Sequence, residues 1–179
     1  MAAGGGTFGL DELNRAGPAE FVRALGGAFE TSPWVAERAW SARPFASVRE
    51  LHRAMTEVVR KASAEERLGL LRAHPDLAGK AARAGRMGDF SKREQGGAGL
   101  DRLSDEEYGR FGALNQAYRE RFGFPFIICV RNHAKASILE AFERRLGNPM
   151  ETEIQAALEE VFEIARYRLE ALVEPGARA

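Results

Sequence analysis

An all-α fold is what the sequence predicts: a single-domain helical bundle of about eight helices with one irregular buried connection. Three observations carry that expectation. Apolar residues recur at spacings of three and four along most of the 179 residues, which is the period of one helix face. Helix-start signatures stand ahead of several of these stretches. The one solid apolar run, residues 123–130, has no second run to pair with, so it cannot build a sheet.

The elements follow in chain order. Residues 1–8 begin Met1-Ala-Ala-Gly-Gly-Gly-Thr7 and lack the basic and apolar regions of a secretory signal. They read as a flexible leader to a domain over 9–174, with a short tail over 175–179. Pro18 opens a helix through Phe21, Val22, Leu25 and Phe29, whose last turn Gly26-Gly27 weakens. Ser32-Pro33 starts another through Trp34, Val35, Ala39 and Trp40. Residues 47–62 carry Val48, Leu51, Met55 and Val58-Val59 at helical spacing. Ser63-x-x-Glu66 and Ser104-x-x-Glu107 both have the form of a capping box, in which serine and glutamate satisfy orphan N–H groups at a helix start. Residues 85–103 are rich in glycine and polar groups and hold one short helix at most. The run Phe124-Pro125-Phe126-Ile127-Ile128-Cys129-Val130 predicts an extended or tightly turned buried segment entering a helix over 134–146. Irregular buried backbone needs hydrogen-bond partners, and a polar ligand is one source of them. Asn148-Pro149-x-Glu151 combines a cap residue, a proline at the first helical position and an early acid. A long helix follows through Ile154, Leu158, Val161, Ala165 and Leu172.

Composition excludes several classes. Twenty-six basic residues balance twenty-six acidic ones, so the net positive field used in non-specific nucleic-acid binding is missing. A single cysteine rules out an internal disulfide and a multi-cysteine metal site, and three histidines offer little for a histidine-rich one. No stretch approaches the length of a membrane span. The expectation is a cytoplasmic protein without metal or cofactor, with no nucleic-acid or membrane partner. A homodimer is the base-rate assembly.

Three places carry chemistry. His74 lies three residues beyond Leu71 and four beyond Leu70 on a buried stripe, and Pro75 behind it breaks the helix, so the imidazole points inward at a chain break. It is either a locally satisfied core or helix-end histidine or a functional one. Ser91-x-x-Glu94-Gln95 is either another capping box or a dense set of hydrogen-bonding groups for a ligand. In the last helix Arg166 has Glu163 and Glu170 at −3 and +4, an ion-paired solvated face. Arg168 instead has Ile164, Ala165, Ala171 and Leu172 as helical neighbours. A guanidinium there snorkels to an edge, pairs with a buried carboxylate or meets an anionic ligand. Cys129 reads as a small core residue, His52 as exposed among Arg49, Glu50 and Arg53, and His133 as close to a helix start. The glycines at 96, 97 and 99 lack the lysine and preceding strand of a phosphate loop.

Taken together, His74-Pro75-Asp76-Leu77-Ala78, Ser91-x-x-Glu94-Gln95, Phe124 to Val130 and Arg168-Leu169 resemble, in that order, the 2-oxo-4-hydroxy-4-carboxy-5-ureidoimidazoline (OHCU) decarboxylases of urate breakdown. The resemblance runs from about Leu10 to Val173. It implies an all-helical, cofactor-free carboxy-lyase that converts OHCU to (S)-allantoin. It further implies that His74, Glu94 and Arg168 are catalytic, and that Pro75, Ser91, Gln95, Phe126, Ile127, Ile128, Cys129 and Val130 contact substrate. Two other readings compete. One is a different cofactor-free lyase or hydrolase acting on a ureido or imidazole compound. The other is a helical interaction module, which requires Trp34, Trp40 and Phe45 to form an exposed aromatic surface.

Overall fold

The structure, a computed structural model, describes residues 7–79, 89–100 and 102–175. Residues 1–6 of the expected leader, residues 80–88 with the start of the glycine-rich segment, Asp101 and residues 176–179 of the expected tail lie outside them. Nine α-helices are described: α1 Leu10–Arg15, α2 Pro18–Leu25, α3 Trp34–Ala39, α4 Val48–Lys61, α5 Ala64–Arg72, α6 Asp89–Gly97, α7 Asp105–Phe122, α8 Lys135–Arg145 and α9 Met150–Leu172. Single 3-10 turns occupy Trp40–Ala42 and Val130–Asn132. The fold class is all-α as expected, with one more helix than the eight anticipated. The chain divides into two compact units, residues 1–70 with 162–179, and residues 71–161. It passes from one to the other within α5 and again within α9.

In the first unit, α2 ends at Leu25, short of the predicted Phe29. Gly26 caps the helix and residues 26–31 turn instead. Ser47 caps α4 by accepting from the Glu50 N–H at 3.2 Å. The Ser63–Glu66 box is reciprocal, with Glu66 N–H to Ser63 at 3.2 Å and Ser63 N–H to Glu66 at 2.9 Å. Phe21, Leu25, Phe29, Leu51, Met55, Val59 and Leu169 fill the core. Phe8, expected in the leader, opens a short strand, β1 Phe8–Gly9, pairing in parallel with β2, Val173–Glu174. Two rungs carry no hydrophobic periodicity, which is why the sequence pattern does not disclose them.

The proposed exposed aromatic surface is absent from this unit. Phe45 is buried, and its backbone is held at both N–H and C=O by the Asn14 amide. Trp40 donates to the Ala16 carbonyl at 3.1 Å and lies under the Arg43 guanidinium, while Arg38 covers Trp34. Among the described residues Met150 alone is an exposed large hydrophobic side chain.

His52 also departs from expectation. It is half-buried, with Nε2 2.8 Å from the Phe162 carbonyl. Four-residue periodicity places it on the flank of α4, and the sequence neighbours Arg49 and Arg53 hide that.

The second unit is built around Tyr118. Its ring centroid lies 4.6 Å from that of Phe122, 5.8 Å from Phe124, 5.3 Å from Phe126 and 5.8 Å from Phe142. The Ser104–Glu107 capping box opens α7, and Gly123 closes it in the left-handed conformation, φ 73°, donating to the Arg119 carbonyl at 2.8 Å. That turn delivers the chain into the irregular run at 124–130, every residue of which is buried.

Burial lowers the His52 pKa below its ordinary value, more than the Phe162 carbonyl raises it. The unfolded chain therefore takes up the proton first as pH falls, and this contribution to stability is complete above about pH 6.5 and declines below it. A His52→Asn variant is expected to lose less melting temperature than the parent between pH 7.5 and 5.5, measured by calorimetry.

Candidate functional site

Three pieces of the second unit converge. The first is the stretch after α5. The helix ends at Arg72, two residues earlier than proline geometry alone requires, and His74 N–H still reaches the Leu71 carbonyl at 3.2 Å. At 6% exposure the imidazole is turned inward, as its stripe position predicts.

The second piece is α6. Ser91 is the third residue of the helix rather than its cap, so the capping-box reading of Ser91-x-x-Glu94 does not hold. Asp89 and Phe90 are already helical, and Ser91, Glu94 and Gln95 share one face by their spacing. Ser91 and Gln95 are buried, and Glu94 is half-buried.

Gln95 ties α6 to the stretch after His74. Its Oε1 accepts from the Ala78 N–H at 2.9 Å, and its Nε2 donates to the Asp76 carbonyl at 3.3 Å. Ala78 sits at φ 50°, a left-handed conformation that costs a non-glycine residue on the order of 1–2 kcal/mol. From α7, Asn115 donates to the Leu77 carbonyl at 2.8 Å, and Arg119 pairs with Asp76 at 2.8 Å. Four side-chain contacts thus hold the loop that follows His74. A cavity of about 600 Å³ borders this loop, lined by Pro75, Asp76 and Ala78 and, from α7, by Tyr108, Gly112 and Asn115.

The third piece is Phe126 to Val130. It leads into the Val130–Asn132 turn, and α6 packs against that turn. Cys129 N–H donates to Glu160 at 2.8 Å, and the Ile127 carbonyl accepts from Arg145 at 2.8 Å. Cys129 is a buried, reduced cysteine, as its apolar setting predicts.

Arg168 belongs to the first unit. It is 2% exposed and ion-paired with Glu30, itself at a left-handed φ of 53°, with the Gly27 carbonyl 3.5 Å away. A charge on an apolar stripe demanded an answering group, and the protein itself contributes one. Arg166 pairs with Glu163 at 2.9 Å and Glu170 at 3.1 Å, as helix phase predicts.

The family model of the OHCU decarboxylases matches residues 14–170. The chain belongs to the OHCU decarboxylase family. The 2-oxo-4-hydroxy-4-carboxy-5-ureidoimidazoline decarboxylase of Haloferax volcanii is 49% identical over 160 residues, 89% of this chain and 93% of that protein. That of Halalkalicoccus jeotgali is 45% identical over 166 residues, 93% of this chain and 92% of its own. Among solved structures, a crystal structure of (S)-allantoin synthase aligns at TM-score 0.71 and 34% identity over 93% of this chain. The chain spans about half of that longer one, 54%. A crystal structure of OHCU decarboxylase in the presence of (S)-allantoin aligns at TM-score 0.65 and 19% identity, covering 88% of this chain and 98% of that one, and shares the fold.

Sequence reasoning passed over Glu153, Arg145, Glu160 and Asn115. The test that singled out Arg168 also selects two of them. Glu153 has Pro149, Met150, Ala156 and Ala157 at −4, −3, +3 and +4, and Arg145 follows Ala141 and Phe142. Both are buried, and they pair with each other.

Removing the Gln95 amide leaves the Ala78 N–H buried beside a strained backbone. Gln95→Ala is expected to cost about 2 kcal/mol in urea denaturation, with an unchanged m value.

Proposed function

We propose that this chain is a carboxy-lyase that removes the carboxylate of OHCU as CO2 and delivers (S)-allantoin, a step of urate degradation. What carries the reading is one coincidence. A family match over residues 14–170 falls on a chain whose second unit packs the His74–Ala78 stretch, the Ser91–Glu94–Gln95 face and the 126–132 segment as neighbours.

The chemistry asks little of a cofactor. The carbon that loses CO2 carries a hydroxyl and adjoins the ureido-bearing carbon, which is joined to a ring nitrogen by a C=N bond. As the C–C bond breaks, its electron pair forms a new C=C bond and the C=N pair moves onto nitrogen. His74, oriented by Glu94, takes the hydroxyl proton as general base. Collapse of the resulting enolate to a carbonyl, with a proton added to one face of the ureido-bearing carbon, sets the S configuration, and the ring nitrogen takes the proton that His74 removed from the hydroxyl. One proton from solvent replaces the departing carboxylate. Ser91, Gln95 and the 126–130 backbone fix the substrate, so much of the work is orientation.

Arg168 is proposed as required for turnover on the family pattern alone. Among the described residues no helix is long and apolar enough to cross a membrane. Cytoplasmic residence and a homodimer belong to the same proposal.

His74→Ala is expected to slow OHCU decarboxylation by at least about 100-fold and to erase the enantiomeric excess, followed by loss of ultraviolet absorbance and by circular dichroism of the product. A variant that kept its rate and gave one enantiomer would overturn the assignment. For Arg168, single substitutions remove the guanidinium that pairs with the Glu30 carboxylate, at a cost of about 3–5 kcal/mol. Arg168→Gln combined with Glu30→Gln restores folding. It is expected to remain folded and inactive, and wild-type turnover by the folded double variant would remove Arg168 from the reaction.

A further inference from the structure

Two side chains of the second unit grip adjoining peptide planes of the 126–130 segment. Arg145, at the end of α8, donates from Nη1 to the Ile127 carbonyl at 2.8 Å. Its Nε donates to Glu153 at 2.9 Å, and its guanidinium lies over the Phe126 ring, 4.6 Å from the centroid. Glu153 has 0% exposure and is held in turn by the Tyr118 hydroxyl and by Asn148 Nδ2 at 2.7 Å. From α9, Glu160 accepts the Cys129 N–H at 2.8 Å.

A trans peptide carries its C=O and N–H on opposite sides. These peptides are trans. The Ile127 carbonyl turned to Arg145 therefore sends the Ile128 N–H away from Arg145, and the Cys129 N–H turned to Glu160 sends the Ile128 carbonyl away from Glu160. Ile128 is 3% exposed, and among the described residues neither its N–H nor its C=O has a hydrogen-bond partner. A buried residue with both backbone groups open is rare, and a ligand is one of the few ways to complete it.

We propose that Arg145 and Glu160 are positioning residues that fix the directions of the Ile128 N–H and C=O, presenting them as a donor–acceptor pair to an amide-type edge of the substrate. The inference rests on the decarboxylase reading above. A ureido group or a ring lactam carries the complementary N–H and C=O side by side, so one residue's backbone reads both. Neither Arg145 nor Glu160 needs to touch the substrate. Arginine is required at 145 because one fork must reach Glu153 and a carbonyl together, which a single ammonium does not.

The test uses the full chain with Arg145→Lys, Glu160→Ala and Glu160→Gln. Hydrogen exchange of the 124–131 amides without substrate is expected to quicken about tenfold in Arg145→Lys and Glu160→Ala. With OHCU, the same two are expected to raise KM about tenfold, to change kcat much less and to erode the (S) excess of the product. Glu160→Gln keeps an oxygen acceptor for Cys129 and is expected to match the parent in every readout. Parent-like exchange, KM and product chirality in a folded Glu160→Ala variant would overturn the proposal. So would Glu160→Gln behaving as Glu160→Ala, because the charge rather than the acceptor would then be responsible. If Arg145→Lys does not fold, the Glu160 pair decides alone. If the parent fails to turn over OHCU while the exchange pattern holds, the decarboxylase reading falls and the grip on the segment stands.

Discussion

The second unit depends on a carboxylate with no access to water. Glu153 sits at 0% exposure, and a charge so placed is tolerated only when its oxygens are met by hydrogen bonds and an opposite charge. Arg145, Tyr118 and Asn148 meet them. The acid in turn raises the Tyr118 pKa, adding to the larger effect of burial, so the phenol stays a donor. Because Tyr118 is also the hub of the aromatic cluster, polar and apolar packing share one residue. The irregular segment at 124–130 is thereby anchored without any sheet, through a guanidinium on one carbonyl and aromatic rings against Phe126.

Helices and caps were legible because they are local. Ser63 and Ser104 cap as their patterns say, since a cap needs only residues within one turn. Burial of His74 was legible for the same reason, from the Leu70–Leu71 stripe. Ser91 left two readings open because its Ser-x-x-Glu pattern is as compatible with a helix interior as with a start, and the choice is made by residues from elsewhere in the unit that bury Ser91 and Gln95. The Gln95 bridge to Ala78 and Asp76 joins residues 17 and 19 apart, and no local pattern encodes it. Ala78 itself, left-handed without being glycine, gives no compositional cue.

Arg168 shows how far periodicity reaches. Its phase established that the guanidinium is buried and must be answered, and it is. Phase could not say by what, since Glu30 lies 138 residues away in the chain. Glu30 had no signal of its own: it follows a glycine-weakened turn, at a backbone conformation that propensity disfavours.

The short ladder between Phe8–Gly9 and Val173–Glu174 has a consequence for how the first unit comes apart. Its strands abut α1 on one side and α9 on the other, so peeling the earliest described residues also strips the last ones of their hydrogen bonds. Fraying, elsewhere a private matter of each terminus, becomes a joint opening here.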